Sequence, residues 1–155
     1  MTGADEAYEE AKQFLAALAS SDKLAIVGAG LVIISTFLPW KLTATEGEVL
    51  GIVSLGAIST AAAIGCIAAI YVRVKNVWPR LNPIVPWLAQ LASTSIAIAW
   101  CFIFVKISWD GTMVASVDGN VQMAASKPDA GVYIGLVSGL ISLAGTLAGL
   151  KDQRL

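Results

Sequence analysis

The last apolar run of the chain, Gly131–Leu150, limits the fold most strongly. It contains twenty residues and no charge, and a helix of that length covers about 30 Å, the thickness of the hydrocarbon core of a bilayer. Small residues recur along it at spacings of three or four, so on a helix they form one stripe that favours close helix packing. The members of this small-residue stripe are Gly131, Gly135, Gly139, Ser142, Gly145 and Gly149.

Three further apolar runs precede it, at Leu24–Trp40, Gly51–Val72 and Trp87–Val105. The chain is 57% hydrophobic and 14% charged, whereas soluble domains average roughly 45–50% and 25%. Its charges lie in short patches between the runs, because the bilayer core offers charge no solvation. The pattern predicts an all-α membrane protein, a left-handed bundle of four transmembrane helices that forms a single domain over residues 1–155.

The second run carries a small-residue face of its own, formed by Ala57, Ala61, Gly65 and Ala68. Small residues let two helix backbones approach closely. We therefore expect the small-residue stripe to pack against this face within the chain, rather than to dimerise.

Two segments at the first and second connections break the helical pattern. Trp40 follows a proline at the end of the first run, where an interfacial aromatic residue belongs, and Lys41–Leu50 is a short polar connection. Between the second and third runs, Pro79, Pro83 and Pro86 interrupt a basic segment. Since proline removes a backbone donor and clashes in a helix interior, we expect no continuous helix there.

An amphipathic helix is predicted over residues 4–20. Its first turns are acidic, which suits the positive end of the helix dipole, and Phe14 and Leu18 belong to an apolar face completed by Tyr8, Ala11 and Leu15. It is too polar to span a bilayer, so we expect it on the membrane surface or docked on a partner.

The longest connection, Lys106–Ala130, predicts a small β-hairpin at about residues 108–127. Thr112–Val117 and Asn120–Ala125 would pair across Asp118-Gly119, a dipeptide that suits a type I′ turn. Apolar side chains on an exposed hairpin need cover, so we expect partner contacts at Trp109, Met113, Val121 and Met123, and also at Phe14 and Leu18.

The lysines and arginines predict the orientation. With the N-terminus inside, the inner side holds seven of the ten basic residues and the outer side three, which favours N- and C-termini in the cytoplasm. The hairpin then faces outward from a multi-pass protein of the cell membrane, in a bacterium the inner membrane. The outer three are Lys41, Lys106 and Lys127.

Catalytic chemistry has little support in the sequence. There is no histidine, the commonest general base and metal ligand, and no ionisable residue lies inside a predicted span, where proton and ion pumps usually need one. Cys66 and Cys101 should lie at different depths in their spans and so remain unpaired. Gly28 and Gly30 lack the third glycine and preceding strand of a dinucleotide-binding motif. We expect no catalytic residues, no cofactor, no metal and, at a net charge of −1, no nucleic-acid partner.

The motif Phe37-Leu38-Pro39-Trp40 at the end of the first span, with a later glycine-rich span that opens Gly131-Val132-Tyr133, resembles small bacterial four-span membrane proteins, many of them uncharacterised. The topology also looks like the claudin type, but the first outer loop is short and lacks the Trp…Gly-Leu-Trp…Cys…Cys signature. The resemblance implies a fold and no residue-level function.

The function predicted from these features is non-catalytic. The chain would be an accessory or self-assembling structural subunit of a membrane complex, in contact with the lipid bilayer and with other membrane protein subunits or copies of itself. The alternative is a small-solute channel or transporter component, with a narrow polar pathway lined by Ser93, Thr94 and the small-residue faces. A membrane enzyme or cofactor carrier is disfavoured because the chain has no histidine.

Overall fold

The computed structural model describes residues 3–44, 46–82, 84–115 and 121–152, and these are mostly helical. The elements in chain order are α1 (Gly3–Ala17), α2 (Ser20–Ser35), β1 (Pro39–Thr43), β2 (Gly47–Leu50), α3 (Ala57–Val74), α4 (Ile84–Trp109), β3 (Thr112–Ala115), β4 (Val121–Ala124), β5 (Ser126–Pro128) and α5 (Ala130–Asp152).

Among the described residues, three helices are long and apolar enough to cross a membrane, which indicates a membrane protein. They are Ala57–Val74, Ile84–Trp109 and Ala130–Leu150, with 18, 26 and 21 residues. The fourth predicted span is α2, which has 16 residues and covers about 24 Å. The prediction of a helical membrane protein is confirmed, and three of the four predicted spans have membrane length.

Helix neighbours follow chain order around the bundle, from α2 through α3 and α4 to α5, and α5 closes back onto α2. The pair α2 and α5 is antiparallel and close: Ser142 Oγ donates a hydrogen bond to the carbonyl of Ala25 at 2.9 Å. A Cβ added at Gly145 would lie 2.7 Å from the carbonyl oxygen of Ser21. The small-residue stripe therefore packs chiefly on α2, and our choice of α3 as its partner was wrong, because α3 and α5 lie diagonally in the ring.

The small face of α3 is turned elsewhere. Gly65 faces α4, where a Cβ would lie 3.0 Å from Ser93 Oγ, while Ala57 and Ala61 are exposed. α3 begins at Ala57 rather than Gly51, because Gly51 and the five residues after it form turns. This shortens the predicted second span at its start.

The ends of α2 and α4 also differ from the prediction. α2 ends at Ser35, five residues before Trp40. α4 begins at Ile84 and includes Pro86. A proline in the first turn costs little, because the backbone N–H it lacks would have no partner within the helix.

The strands form two small antiparallel sheets at one end of the bundle, the sheet end. β1 lies between β2 and β5 in a three-stranded sheet, and β3 pairs with β4. The predicted hairpin strands do pair, with Met113 opposite Met123 and Ala115 opposite Val121, while the Asp118-Gly119 turn lies outside the described residues. The connection Lys41–Leu50 was predicted as polar loop, but β1 and β2 pair there as a second hairpin. Gly47, the first residue of β2, adopts a positive φ of 73°.

At the opposite end, α1 docks on the bundle through its C-terminal part. The ring of Phe14 packs against that of Tyr71 with centroids 5.4 Å apart. Leu18, in the connection between α1 and α2, is 4% exposed and belongs to the core cluster that contains Ala25, Cys66 and Ile70. Leu18 therefore has no side-chain surface to offer a partner, and Phe14 is half-buried.

Candidate functional site

Trp40 fixes the sheet to the helices. Its side chain is fully buried, its Nε1 donates to the carbonyl of Ser35 at 2.8 Å, and its ring meets that of Phe104 edge-on with centroids 5.1 Å apart. Glycines clear the space around it, since a Cβ at Gly51 or Gly131 would lie 2.7 or 2.6 Å from its ring. We predicted Trp40 as an interfacial anchor, and this was wrong because its ring packs inward against α4 and α5, in one buried cluster with Cys101, Phe104 and Val132.

A surface groove of about 350 Å³ lies on the paired strands β1 and β5. Its lining residues are Leu42, Thr43, Ala44, Ala125, Ser126 and Lys127. Ser126 Oγ donates to the carbonyl of Ser108 at 2.6 Å, which ties the groove to the end of α4. The next residue, Trp109, is 65% exposed. A lining that combines apolar side chains with the ammonium group of Lys127 can receive an apolar or mixed side chain of a partner.

The other predicted contact residues at this end belong to the β3–β4 hairpin. Met113 lies opposite Met123, so the two residues share one face of the ribbon, and Val121 pairs with Ala115. Only their backbone positions are described. Their role as partner contacts stays a prediction.

A network of hydroxyl and amide groups fills the centre of the bundle. Gln90 Nε2 donates to Thr146 Oγ1 at 3.0 Å, Thr146 Oγ1 donates to the carbonyl of Ser142 at 2.9 Å, and Thr94 Oγ1 donates to the carbonyl of Gln90 at 2.9 Å. The Sγ of Cys66 lies 3.7 Å from Ser142 Oγ. A central void beside Cys66, Thr94 and Ser142 measures about 10 Å³, the least volume that can hold one water molecule.

Gln90 is the one member of this network with an unused buried oxygen. The side chain is 1% exposed, and its Oε1 has no hydrogen-bond partner among the described residues. Packing of Trp87 and Thr146 over Gln90 excludes solvent, since Trp87 Nε1 donates to the carbonyl of Thr146 at 3.3 Å.

The two cysteines are buried free thiols. Cys66 takes part in the central network, and Cys101 Sγ lies 3.8 Å from Ser59 Oγ nearer the sheet end. No group of three or more His, Cys, Asp or Glu side chains that could hold a metal ion occurs in the described parts of the chain.

A nearly buried ion pair joins α2 and α3 at the end opposite the sheet, and the sequence analysis missed it. Arg73 Nη2 contacts Asp22 Oδ1, and the two side chains are 12% and 10% exposed. Asp22 is in the first turn of α2 and Arg73 in the last turn of α3, so each charge also meets the helix-dipole end that favours it. Fifty-one positions separate the two residues, and no local pattern in the sequence relates them.

The small-residue stripe lies in helix contacts along its whole length. A Cβ added at Gly131 would lie 2.5 Å from the carbonyl oxygen of Pro39, and one added at Gly135 would lie 2.8 Å from Ser35 Oγ. At Gly139 it would lie 2.8 Å from the side chain of Ile98, and at Gly149 3.5 Å from Ser21 Oγ. The stripe is therefore a packing surface of the bundle, with one member, Gly139, turned toward α4.

Comparisons with known protein families, with curated proteins and with solved structures find no match for this chain. The resemblance to small bacterial four-span proteins stays a prediction. The function has to be inferred from the geometry alone.

Proposed function

We propose that the chain is a non-catalytic integral membrane protein with four spans that serves as an accessory or self-assembling structural subunit of a membrane complex. The three helices of membrane length support the membrane location. Backbone hydrogen bonds between residues three apart continue α2 to Leu38, so Ser20–Leu38 covers about 28 Å. That length supports α2 as the fourth span.

The distribution of basic residues supports an inner position for the end opposite the sheet. Lys23, Arg73, Lys75 and Arg80 lie at that end in the described part of the chain. Cytoplasmic segments carry the excess of lysine and arginine, so both termini would be cytoplasmic and the sheet would face outward from the cell membrane, the inner membrane in a bacterium.

The filled interior of the bundle is the observation that best supports a structural role for the chain. Its central void is about 10 Å³, whereas a solute pathway needs a continuous polar opening. The hydroxyls of Thr94, Ser142 and Thr146 are engaged in hydrogen bonds to backbone carbonyls. The bond from Ser142 joins α5 to α2, the other two lie within one helix, and all three leave few groups to bind a passing solute.

The groove on β1 and β5 is the surface we propose for a protein partner. Its volume of about 350 Å³ lies within the roughly 300–1,000 Å³ of small-ligand sites, enough for one or two anchoring side chains. Trp109, exposed at the end of α4 to which Ser126 ties the groove, is of the residue type most enriched among interface anchors. Partner contact at Met113 and Met123 would extend this surface along the hairpin.

The alternative function, a small-solute channel or transporter component, has one supporting feature. Gln90 and the neighbouring hydroxyls form a polar centre between the helices. A pathway through this centre would require the helices to separate, because the void holds one water molecule at most.

The test is the composition of the native complex. The full chain, extracted in a mild detergent, should migrate as an assembly larger than one copy, whose mass and partners are read by native mass spectrometry. A lone copy without partners that also mediates solute flux in liposomes would overturn the proposal in favour of the channel.

A pair of matched variants locates the contact. Ala125→Trp fills the groove and should release the partner, because Ala125 is exposed and lines it. Ala130→Trp adds the same bulk at an exposed position of the sheet end outside the lining residues, and should leave the assembly intact. Equal behaviour of the two variants would refute the groove as the contact surface.

A further inference from the structure

A second groove opens on the side of the bundle, between α3 and α4 at the end opposite the sheet. It has a volume of about 280 Å³. Gly65, Ala68 and Val72 form the α3 wall, and Val85 and Ala89 form the α4 wall. We call this the side groove. Because α3 and α4 have membrane length, the side groove lies along the part of the bundle that faces lipid.

The connection between the two helices closes one end of the side groove. Trp78 and Leu81 line it from this connection, and both are exposed, at 59% and 41%. An exposed indole at the end of a membrane-length helix lies where the headgroups of the bilayer begin. The side groove thus runs from the headgroup level into the hydrocarbon region.

Two cations belong to the same connection, one three positions before Trp78 and the other directly before Leu81. Lys75 and Arg80 are both exposed, and residues 75–82 contain no acidic residue. Arg73 forms an ion pair with Asp22. In the described parts of the chain, neither Lys75 nor Arg80 forms an ion pair. An apolar groove below and two free positive charges above match a molecule with an acyl chain and an anionic head.

We propose that the side groove binds an anionic phospholipid, with one acyl chain between α3 and α4 and the phosphate beside Lys75 and Arg80. The charges supply the preference for an anionic lipid, because an acyl chain fits the apolar groove equally well whatever headgroup it carries. Basic side chains between helices at the cytoplasmic surface are typical of anionic headgroup sites.

A second copy of the chain fits the side groove less well than a lipid. In a two-fold dimer the same patch meets itself, so a symmetric contact here would bring two basic connections together. Like charges that approach each other are unfavourable. An anionic lipid instead neutralises the two cations.

The test compares phosphatidylglycerol with phosphatidylcholine of the same acyl chains. The full chain in a non-ionic detergent is mixed with each lipid, and retained lipid is counted by native mass spectrometry. Each basic side chain near an anionic headgroup contributes about fivefold, so the intact protein should retain phosphatidylglycerol about 25-fold more strongly. Equal retention of the two lipids would overturn the proposal.

Charge variants test the headgroup site. Lys75→Gln combined with Arg80→Gln should remove the preference, and because both positions are exposed the fold should be retained. Lys106→Gln is the matched control, an exposed lysine at the sheet end of α4, and should leave the preference unchanged. A preference that survives the double substitution would overturn the proposal.

Bulk variants test the acyl-chain site. Ala68→Phe fills the side groove and should reduce retention of phosphatidylglycerol at least fivefold with both cations intact, whereas Ala61→Phe, at an exposed position of α3 outside the groove, should not. Unchanged retention in Ala68→Phe would show that the headgroup binds without its chain and would overturn the proposal. A dimer that Ala68→Phe abolishes, without bound lipid in the intact protein, would place a second copy in the groove instead.

Discussion

The close contact between α2 and α5 predicts that a side chain at Gly28 destabilises the bundle. A Cβ at this position would lie 2.7 Å from the carbonyl oxygen of Ser138 and 2.7 Å from the Cα of Ser142, whereas ordinary Cβ contacts lie at 3.4–4 Å. Both atoms are backbone, so a rotamer change cannot relieve the clash. Gly28→Ala should therefore push the two helices apart by about 1 Å and weaken the hydrogen bond from Ser142 to the carbonyl of Ala25, which is 2.9 Å long.

Gly30 provides the matched control on the same helix. A Cβ there has nothing within 4 Å, so Gly30→Ala only adds the helix propensity of alanine, about 1 kcal/mol. Gly28→Ala gains the same propensity, so the difference between the variants isolates the helix contact. Overpacking costs about 1–3 kcal/mol, and loss of an interhelical hydrogen bond costs about 0.6 kcal/mol. Gly28→Ala should thus be less stable than Gly30→Ala by about 2–3 kcal/mol.

The assay is reversible unfolding of the purified chain by SDS in mixed micelles, followed by far-ultraviolet circular dichroism. The free energy of unfolding is compared at several protein concentrations. Equal values for Gly28→Ala and Gly30→Ala would refute the close contact. A difference that grows with protein concentration would show that the small residues of α2 pack between copies rather than within one chain.

The remaining predictions concern the ion pair, the buried indole and the fourth span. Arg73→Gln should lower the free energy of unfolding by about 3 kcal/mol, because it leaves a nearly buried carboxylate without its cation; adding Asp22→Asn should recover part of that loss, and simple additivity in the double variant would contradict the coupling. Trp40→Phe should cost about 1–3 kcal/mol in the same assay, since it removes one of the two hydrogen bonds that the carbonyl of Ser35 accepts and part of a fully buried ring; an unchanged stability would show that the indole is dispensable. If α2 spans the membrane, a membrane-impermeant maleimide should label only one of Ala7→Cys and Glu46→Cys, both exposed positions, in intact cells and the other only after the membrane is opened; labelling of both, or of neither, in intact cells would exclude the fourth span.

The three helices of membrane length could be predicted from the sequence because each contains one long uncharged apolar run. α4 illustrates both the success and the error: its apolar centre was predicted at Trp87–Val105, and the helix extends from Ile84 to Trp109. Helix ends depend on neighbours that a periodic pattern does not contain. The proline at position 86 was taken as a helix breaker, although the first turn tolerates it.

The strand pairing could be predicted only in part, because some paired strands are neighbours in the sequence and others are far apart. β3 and β4 are close in sequence and were found from their turn signal. The pairing of β1 with β5 joins Thr43 to Ser126, and no local signal relates segments so far apart. The hairpin of β1 and β2 is local, but Lys41–Leu50 contains no Asn-Gly or Asp-Gly turn dipeptide and was predicted as polar loop. The error at Trp40 has a separate cause, because its ring is buried against Phe104 and Val132 on α4 and α5, which are distant in the sequence.

The wrong partner for the small-residue stripe has a topological cause. Both α2 and α3 offer small residues, and composition alone favoured α3. In a four-helix ring with neighbours in chain order, the last helix lies beside the first and diagonal to the second, so α5 has to meet α2. The contact at Gly28 and Gly145 thus joins the beginning of the bundle to its end. The matching surface on α2 stays uncovered until α5 is in place, so closure of the bundle requires the complete set of helices, and a chain that ends before Ala130 would leave Ser21, Ala25 and Gly28 without their partner.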